Sequence, residues 1–490
     1  MYKDKLVQFL KTLPAKELKE LKKYIESPFH NNNRRDKVLQ LFDCLYAHHS
    51  NDFTHSKLQE INVFETLFPH KNYESKRDKQ QFSNIKNQLM NLVKDFLLEK
   101  KLQADTSTKN RLWLEVLFER KLLEQLQSEI SSIKNQYESQ PTKQTADYQN
   151  LHLLQEFDFA FNIVTKGRAT NSNFQAVADS FDAYFIVQKL KYFCVMLNEQ
   201  LLTAVSYEFR FADELLGYLE ESPYTEIPLV KLYRLLMLFL KEEKEGFIGE
   251  LKEGLQLHRE DIAKGELRQI YTCLINYYNT QLTSGKTDYS QAIFEVYQLM
   301  VEQEIIYTND FITPPVHFIN IIRAAIYANQ LKWAKDFYES NQDKMRTSQA
   351  SLKVYAKAVL QFHQQEFQAT IDTLQAYKHE QDFWRYKEHK VLLIKAYYEL
   401  DDDEQLLKLL TAFKQYLLRH KDSTFTPHFL QVYQAFIASV EGLYALQTMP
   451  VYPVEDRKNA AQKLKEDIEG AKHIAEKKWL GQKVGEFLLP

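Results

Sequence analysis

The chain has 490 residues, more than a single hydrophobic core accommodates, so it divides into domains or extends as a repeat. Only 11 Gly and 12 Pro leave few tight turns, which argues against sheet-rich folds and Gly-rich phosphate loops and for helices joined by short polar connections. With 63 Lys and Arg against 66 Asp and Glu, the formal charge of −3 supplies no global field for nucleic acid or an anionic membrane, and three dispersed Cys without a C-x-x-C argue against a disulfide framework or a Cys-rich zinc site.

The N-terminal stretch "MYKDKLVQFLKTLPAK" has Lys3, Asp4 and Lys5, then too short an apolar run for a secretory signal. Leu6, Phe9, Leu10 and Leu13 recur at helical spacing, as do Val38, Leu41, Phe42 and Leu45, and then Phe82, Ile85, Leu89, Leu92, Val93 and Phe96. Each set predicts one amphipathic helix, and "ESPFHNNN" at 26–33 predicts a stop and turn. Residues 1–110 are therefore expected to form an N-terminal helical domain. They carry 20 Lys and Arg against 14 Asp and Glu, a net of +6, while the remainder is net −9. Lys76, Arg77, Lys79, Lys86 and Lys94 are candidates to contact a phosphate backbone. Lys86 and Lys94 alternate with the apolar row, however, so a solvated face opposite a core is the simpler reading. Cys44 and His48 share one helical face, with His49 and His55 nearby, but lack a second ligand pair at zinc spacing. No metal or cofactor is expected.

Residues 111–228 read as a helical middle region. "SQPTKQTAD" (139–147) predicts a loop, and "DSFDAYFIVQKLKYFCVMLNEQLL" (179–202) is apolar around most of its circumference, as in a helix covered on several sides. "ESPYTEIP" (221–228) marks the next break. The apolar run "IPLVKLYRLLMLFLKEE" is interrupted by Lys231 and Arg234, so no membrane span is expected, and a cytoplasmic location fits.

From 229 to 425 a weak internal repeat runs through "GFIGELKEGL", "DYSQAIFEVY", "QLKWAKDFYE", "EFQATIDTLQ" and "DEQLLKLLTA". Its anchors are Phe247, Tyr289, Leu331, Phe367 and Asp403, spaced by 42, 42, 36 and 36 residues. Three positions later stand Glu250, Ala292, Ala334, Thr370 and Leu406; seven positions later, Gly254, Val296, Tyr338, Leu374 and Leu410. Glu250 and Asp403 depart from the pattern. Such a period with helical content predicts helix pairs that stack, because one pair alone cannot bury its apolar face. Gly285-Lys286-Thr287 looks like the end of a phosphate-binding loop, but the Gly that such a loop needs at 280 is Thr and the preceding residues are helical, so an inter-helix turn is expected.

These segments resemble tetratricopeptide (TPR) repeats, most closely in "GKTDYSQAIFEVY" and "AYYELDDDEQLLKLL". "LPAKELKELKKYIESPFHNNNRRDKVLQLFDCL", "YESKRDKQQFSNIKNQLMNLVKDFLLEKK", "FDAYFIVQKLKYFCVMLNEQ" and "HIAEKKWLGQK" are similar to landmarks of an uncharacterised TPR-like family common in Bacteroidota, from which architecture but no activity carries over. The TPR resemblance implies an all-α protein in which the N-terminal helical domain leads into an α-solenoid of stacked helix pairs. Residues 426–490 close it as a helical cap with Trp479 packed on the preceding helices. By the same resemblance, Arg323, Lys357 and Lys395, with Lys353 beside them, line a concave groove, where basic side chains clamp an acidic or C-terminal peptide and Tyr327 and Tyr398 supply aromatic walls. The competing reading is a solvated helix face.

No H-E-x-x-H, G-x-S-x-G or convergent catalytic set is found, and "DDDE" at 401–404 falls where an inter-helix turn is required. The expected function is that of a non-catalytic protein- or peptide-binding scaffold or adaptor. The alternative is a nucleic-acid-associated regulator acting through the basic N-terminal domain.

Overall fold

The structure, a computed structural model, describes residues 4–30, 35–48, 58–166, 173–203, 205–283, 289–376, 383–420, 427–450, 454–471 and 473–489. Gly285-Lys286-Thr287, His49 and His55 lie outside these residues. The fold is all-α, with twenty-three α-helices and one two-stranded hairpin among the described residues. Two compact units divide the chain: residues 1–140 with 146–185, and residues 141–145 with 186–490.

In the first unit, α1 (Lys5–Lys11), α2 (Ala15–Glu26), α3 (Arg35–Tyr46), α4 (Glu60–Leu67) and α5 (Lys76–Ala104) share one apolar core. Two of their starts carry side-chain caps: Asp4 accepts from the Leu6 amide at 3.0 Å and Ser75 caps α5, while Asp105 caps the next helix, α6 (Thr106–Glu119). The α5 row from Phe82 to Phe96 is buried throughout, each such side chain contributing ~1.5–3 kcal/mol. Val38, Leu41, Phe42 and Leu45 are fully covered, whereas Phe9 stays 42% exposed at the core's edge. A smaller cluster joins α6 (Thr106–Glu119), α7 (Leu123–Ser139) and α8 (Thr145–Lys166), and α9 (Phe174–Leu202) runs from the first unit into the second.

The second unit continues with α10 (Ala212–Tyr218), a 3-10 turn at Pro223–Glu226, α11 (Pro228–Glu242) and α12 (Glu245–Leu257). Gly254 allows a close approach here, since a Cβ would meet Leu232 Cδ2 at 2.8 Å. Next come α13 (Lys264–Thr283) and α14 (Ser290–Glu302), α15 (Val316–Tyr327) and α16 (Leu331–Asn341), α17 (Ala350–His363) and α18 (Phe367–Gln375), and α19 (Phe383–Glu399) and α20 (Asp403–His420). Within each pair the helices pack on one another, and α15 packs on α17 and α17 on α19. The repeat anchors fall at helix starts: Tyr289 caps α14, and Leu331, Phe367 and Asp403 open α16, α18 and α20. Ala334, Thr370 and Leu406 are buried as close-contact positions require, while Glu250, in the least regular copy, is exposed.

Three of the intra-pair turns are alike. Asn329, Gln365 and Asp401 adopt φ of 59°, 62° and 53°, and the next amide bonds back to the carbonyl five residues earlier: Gln330 to Ala325, Glu366 to Gln361 and Asp402 to Tyr397. This is the left-handed helix end that glycine usually occupies, made here without it.

The hairpin β1 (Tyr307–Thr308) and β2 (Phe311–Ile312) lies between α14 and α15 and was not anticipated. Asn309 and Asp310, with φ of 48° and 64°, form the two-residue turn that suits a hairpin. Arg268 on α13 donates to the carbonyls of Ile305 at 2.7 Å and Tyr307 at 3.1 Å, pinning it down. This insertion lies inside the 42-residue spacing between Tyr289 and Leu331. The chain ends with α21 (Pro427–Thr448), α22 (Val454–Gly470) and α23 (Lys477–Glu486), the last packed on α21 and α22.

Candidate functional site

Stacking of α15, α17 and α19 brings polar side chains from three successive helix pairs together. Arg323 on α15 donates through Nη2 to the Tyr355 hydroxyl on α17 at 2.7 Å, its guanidinium 5.3 Å from that ring's centroid, and Nη1 lies 3.5 Å from Glu388 on α19. The Tyr355 ring stacks on His389 of α19 at 5.1 Å.

Lys395, about two turns further along α19 than Glu388, is 4% exposed. Its ammonium sits 4.5 Å from the Phe362 centroid and 5.6 Å from that of Trp479, and donates to Glu476 Oε2 at 2.6 Å. An ammonium this covered needs a counter-charge, because desolvation without one costs several kcal/mol on the order of magnitude seen in real proteins. Glu476 immediately precedes α23 with φ of 55°, and its carboxylate is directed at Lys395 instead of capping its own helix. Burial pushes the Glu476 carboxyl up, but Lys395, Arg323 and His363 outweigh it and hold the group below the ordinary carboxylate value. Burial, then the charge of Lys395, pushes His363 on α17 down to about 4, which keeps it neutral at pH 7. The α23 helix is fastened by Trp479 Nε1, which donates to Glu399 Oε1 at 2.7 Å, and by Lys483, 2.7 Å from Glu399 Oε2.

Two clefts flank this cluster. One of about 560 Å³ is lined by Tyr327, His363, Lys395, Glu399, Glu476 and Trp479, among others. The other, of about 240 Å³, is lined by Asn279, Ser290, Tyr297, Asn320, Arg323 and Tyr327. Tyr327, 39% exposed, belongs to both.

Of the six residues expected to form a peptide groove, Lys395 thus holds Glu476, Arg323 reaches Glu388, and Tyr327 lines both clefts. Tyr398 is buried edge-on against Trp479, ring centroids 5.5 Å apart. Lys353 pairs with Asp343 at 3.3 Å, and neither it nor Lys357 lines these two clefts. Lys357 follows Tyr355 by two residues, about 200° around the helix. With Tyr355 turned toward Arg323, Lys357 is exposed. Sequence reasoning did not find Tyr355, His363 or Glu476. Glu476 is 81 residues from Lys395, and nothing local announces their pairing.

In the first unit, Lys76, Lys79 and Lys86 line a hollow of about 460 Å³. Lys86 is already neutralised there by Glu60 at 2.6 Å and Asp4 at 3.1 Å, and Lys79 by Glu74 at 3.4 Å. Lys76, Arg77 and Lys94 are exposed. Cys44 packs against the N-terminal core, and burial raises its thiol. Among the described residues no group of three His, Cys, Asp or Glu is placed to hold a metal ion, and no helix is long and apolar enough to cross a membrane. No family model, curated protein or solved structure matches the chain.

Proposed function

We propose that residues 229–425 are a TPR-like α-solenoid whose inner face receives an acidic or C-terminal segment of a partner protein, the whole acting as a non-catalytic cytoplasmic scaffold or adaptor. The family similarity noted in the sequence, to uncharacterised TPR-like proteins of Bacteroidota, belongs to the same reading. The observation that carries it is the carboxylate held by Lys395 beside Arg323, with Tyr327 walling clefts on either side. Cations drawn from successive helix pairs and shielded by aromatic rings form strong charge-assisted hydrogen bonds to carboxylates, and they discriminate against neutral groups. Similar turns and regularly placed helix starts support the repeat architecture.

Fluorescence anisotropy with a labelled hexaglutamate peptide tests this. Binding should weaken with salt and drop ~10-fold or more in Arg323→Gln, with hexaglutamine as the neutral control. Equal affinity in the variant, or equal capture of hexaglutamine, ends the reading.

The nucleic-acid alternative rests on the hollow shared by Lys76, Lys79 and Lys86. A salt-sensitive gel shift of an RNA or DNA probe, lost in Lys76→Glu/Lys79→Glu, would favour it over the groove.

A further inference from the structure

Lys395 is not an open receptor, because its ammonium is covered by Phe362 and Trp479 and already holds Glu476. The Glu476 carboxylate, in the left-handed residue at the start of α23, also lies in the field of Arg323. The same carboxylate lines the cleft of about 560 Å³, so space lies beside the pair. We infer that Glu476 is a built-in competitor for the carboxylate site, and that a ligand carboxylate binds by replacing it on Lys395 while Glu476 swings into the cleft. This rests on the carboxylate-binding function proposed above and adds its regulation.

The physical basis is charge conservation at a covered cation. Lys395 cannot be left without a counter-ion, so Glu476 departs only as another anion arrives. Neutral ligands have nothing to exchange, which makes the pair a filter as well as a plug. Because Glu476 is tethered, it competes at a high effective concentration and lowers the apparent affinity of a free ligand by the fraction of time that it occupies Lys395. That fraction is set by the Lys395 pair itself and by the contacts of Trp479 and Lys483 to Glu399 that fasten α23.

The test compares the full-length wild type, Glu476→Gln and Trp479→Phe, with labelled hexaglutamate as probe and hydrogen exchange followed over 473–489. Glu476→Gln should bind hexaglutamate ~10-fold or more tightly than the wild type, with Trp479→Phe intermediate, and hexaglutamate should raise exchange over 473–489 in the wild type. Equal affinity in all three proteins with unchanged exchange would overturn the competitor role while leaving carboxylate binding intact. Failure of every protein to bind hexaglutamate would remove the carboxylate site and the competitor with it. Should Glu476→Gln fail to fold, Trp479→Phe decides alone: tighter binding supports the inference and unchanged binding overturns it.

Discussion

The interiors of the two units are built differently. Among the described residues twelve buried side chains are polar or charged, and eleven belong to the second unit; Asp147 is the exception. In the first unit, cations stay at the surface and bridge helices over an apolar core, as Lys86 does with Glu60 and Asp4, and Lys100 with Glu17 and Glu20. In the second, polar groups join successive helices from within. Glu266 on α13 accepts from the Thr145 amide at 3.0 Å and hydroxyl at 2.7 Å, from Lys191 on α9 at 2.9 Å, and from the Tyr233 hydroxyl on α11. Asn276 donates to Asn198 at 3.0 Å, and further along stand Arg323 with Tyr355 and Lys395 with Glu476. Helix pairs of similar shape offer several apolar registers of nearly equal energy. A buried polar pair selects one, since a slipped register strands a charge or a hydrogen-bond donor.

This contrast is open to measurement by denaturation. The largest effect should come from Glu266→Ala, which leaves Lys191, Tyr233 and Thr145 without their acceptor and should cost ~3–5 kcal/mol in urea unfolding. A loss below 1 kcal/mol would mean that the buried network is not what holds the second unit.

Next is a pH effect confined to the second unit. His317 on α15 is 5% exposed, and neither ring nitrogen has a hydrogen-bond partner among the described residues. It faces the Tyr297 ring, and burial, helped by the charge of Arg268, pushes it down to about 4. The unfolded chain therefore binds this proton more readily, so its stability contribution is complete above pH ~6.5 and is lost as pH falls toward 4, on the order of 3 kcal/mol. His317→Phe should flatten the stability curve over that window relative to the wild type; superimposable slopes would refute the assignment.

The smallest effect belongs to the first unit. Lys86→Met keeps the stem on the core and removes the ion pairs, and should change stability by ~1 kcal/mol or less. A loss as large as that of Glu266→Ala would erase the distinction between the two interiors.

The sequence exposed whatever is local. The α5 row and the helix starts at Leu331, Phe367 and Asp403 follow from periodicity and from turn chemistry that neighbouring residues carry. The hairpin had a signal, Asn309-Asp310 between Tyr307-Thr308 and Phe311-Ile312, but one too short to stand out among helices. Arg323 and Lys395 were legible as cations at matching helical positions. Lys357 was not, because the 3-10 turns at Gln342–Lys344 and Thr347–Gln349 precede its helix and obscure its register against the other pairs. Glu476 was out of reach because an ion pair across 81 residues is a product of the packed stack.

The segment 141–145 interrupts the sequence of the first unit yet belongs to the second. Lys143 forms a parallel bridge with Ile262, its amide donating to Asp261 at 2.8 Å and its carbonyl accepting from Ala263 at 2.9 Å, while Thr145 supplies two of the donors to Glu266. The units are therefore not interchangeable modules. A chain beginning at Ile186 would lack the loop that completes its own buried network, so gene fusion or domain exchange at that point would transplant the second unit with an unsatisfied interior.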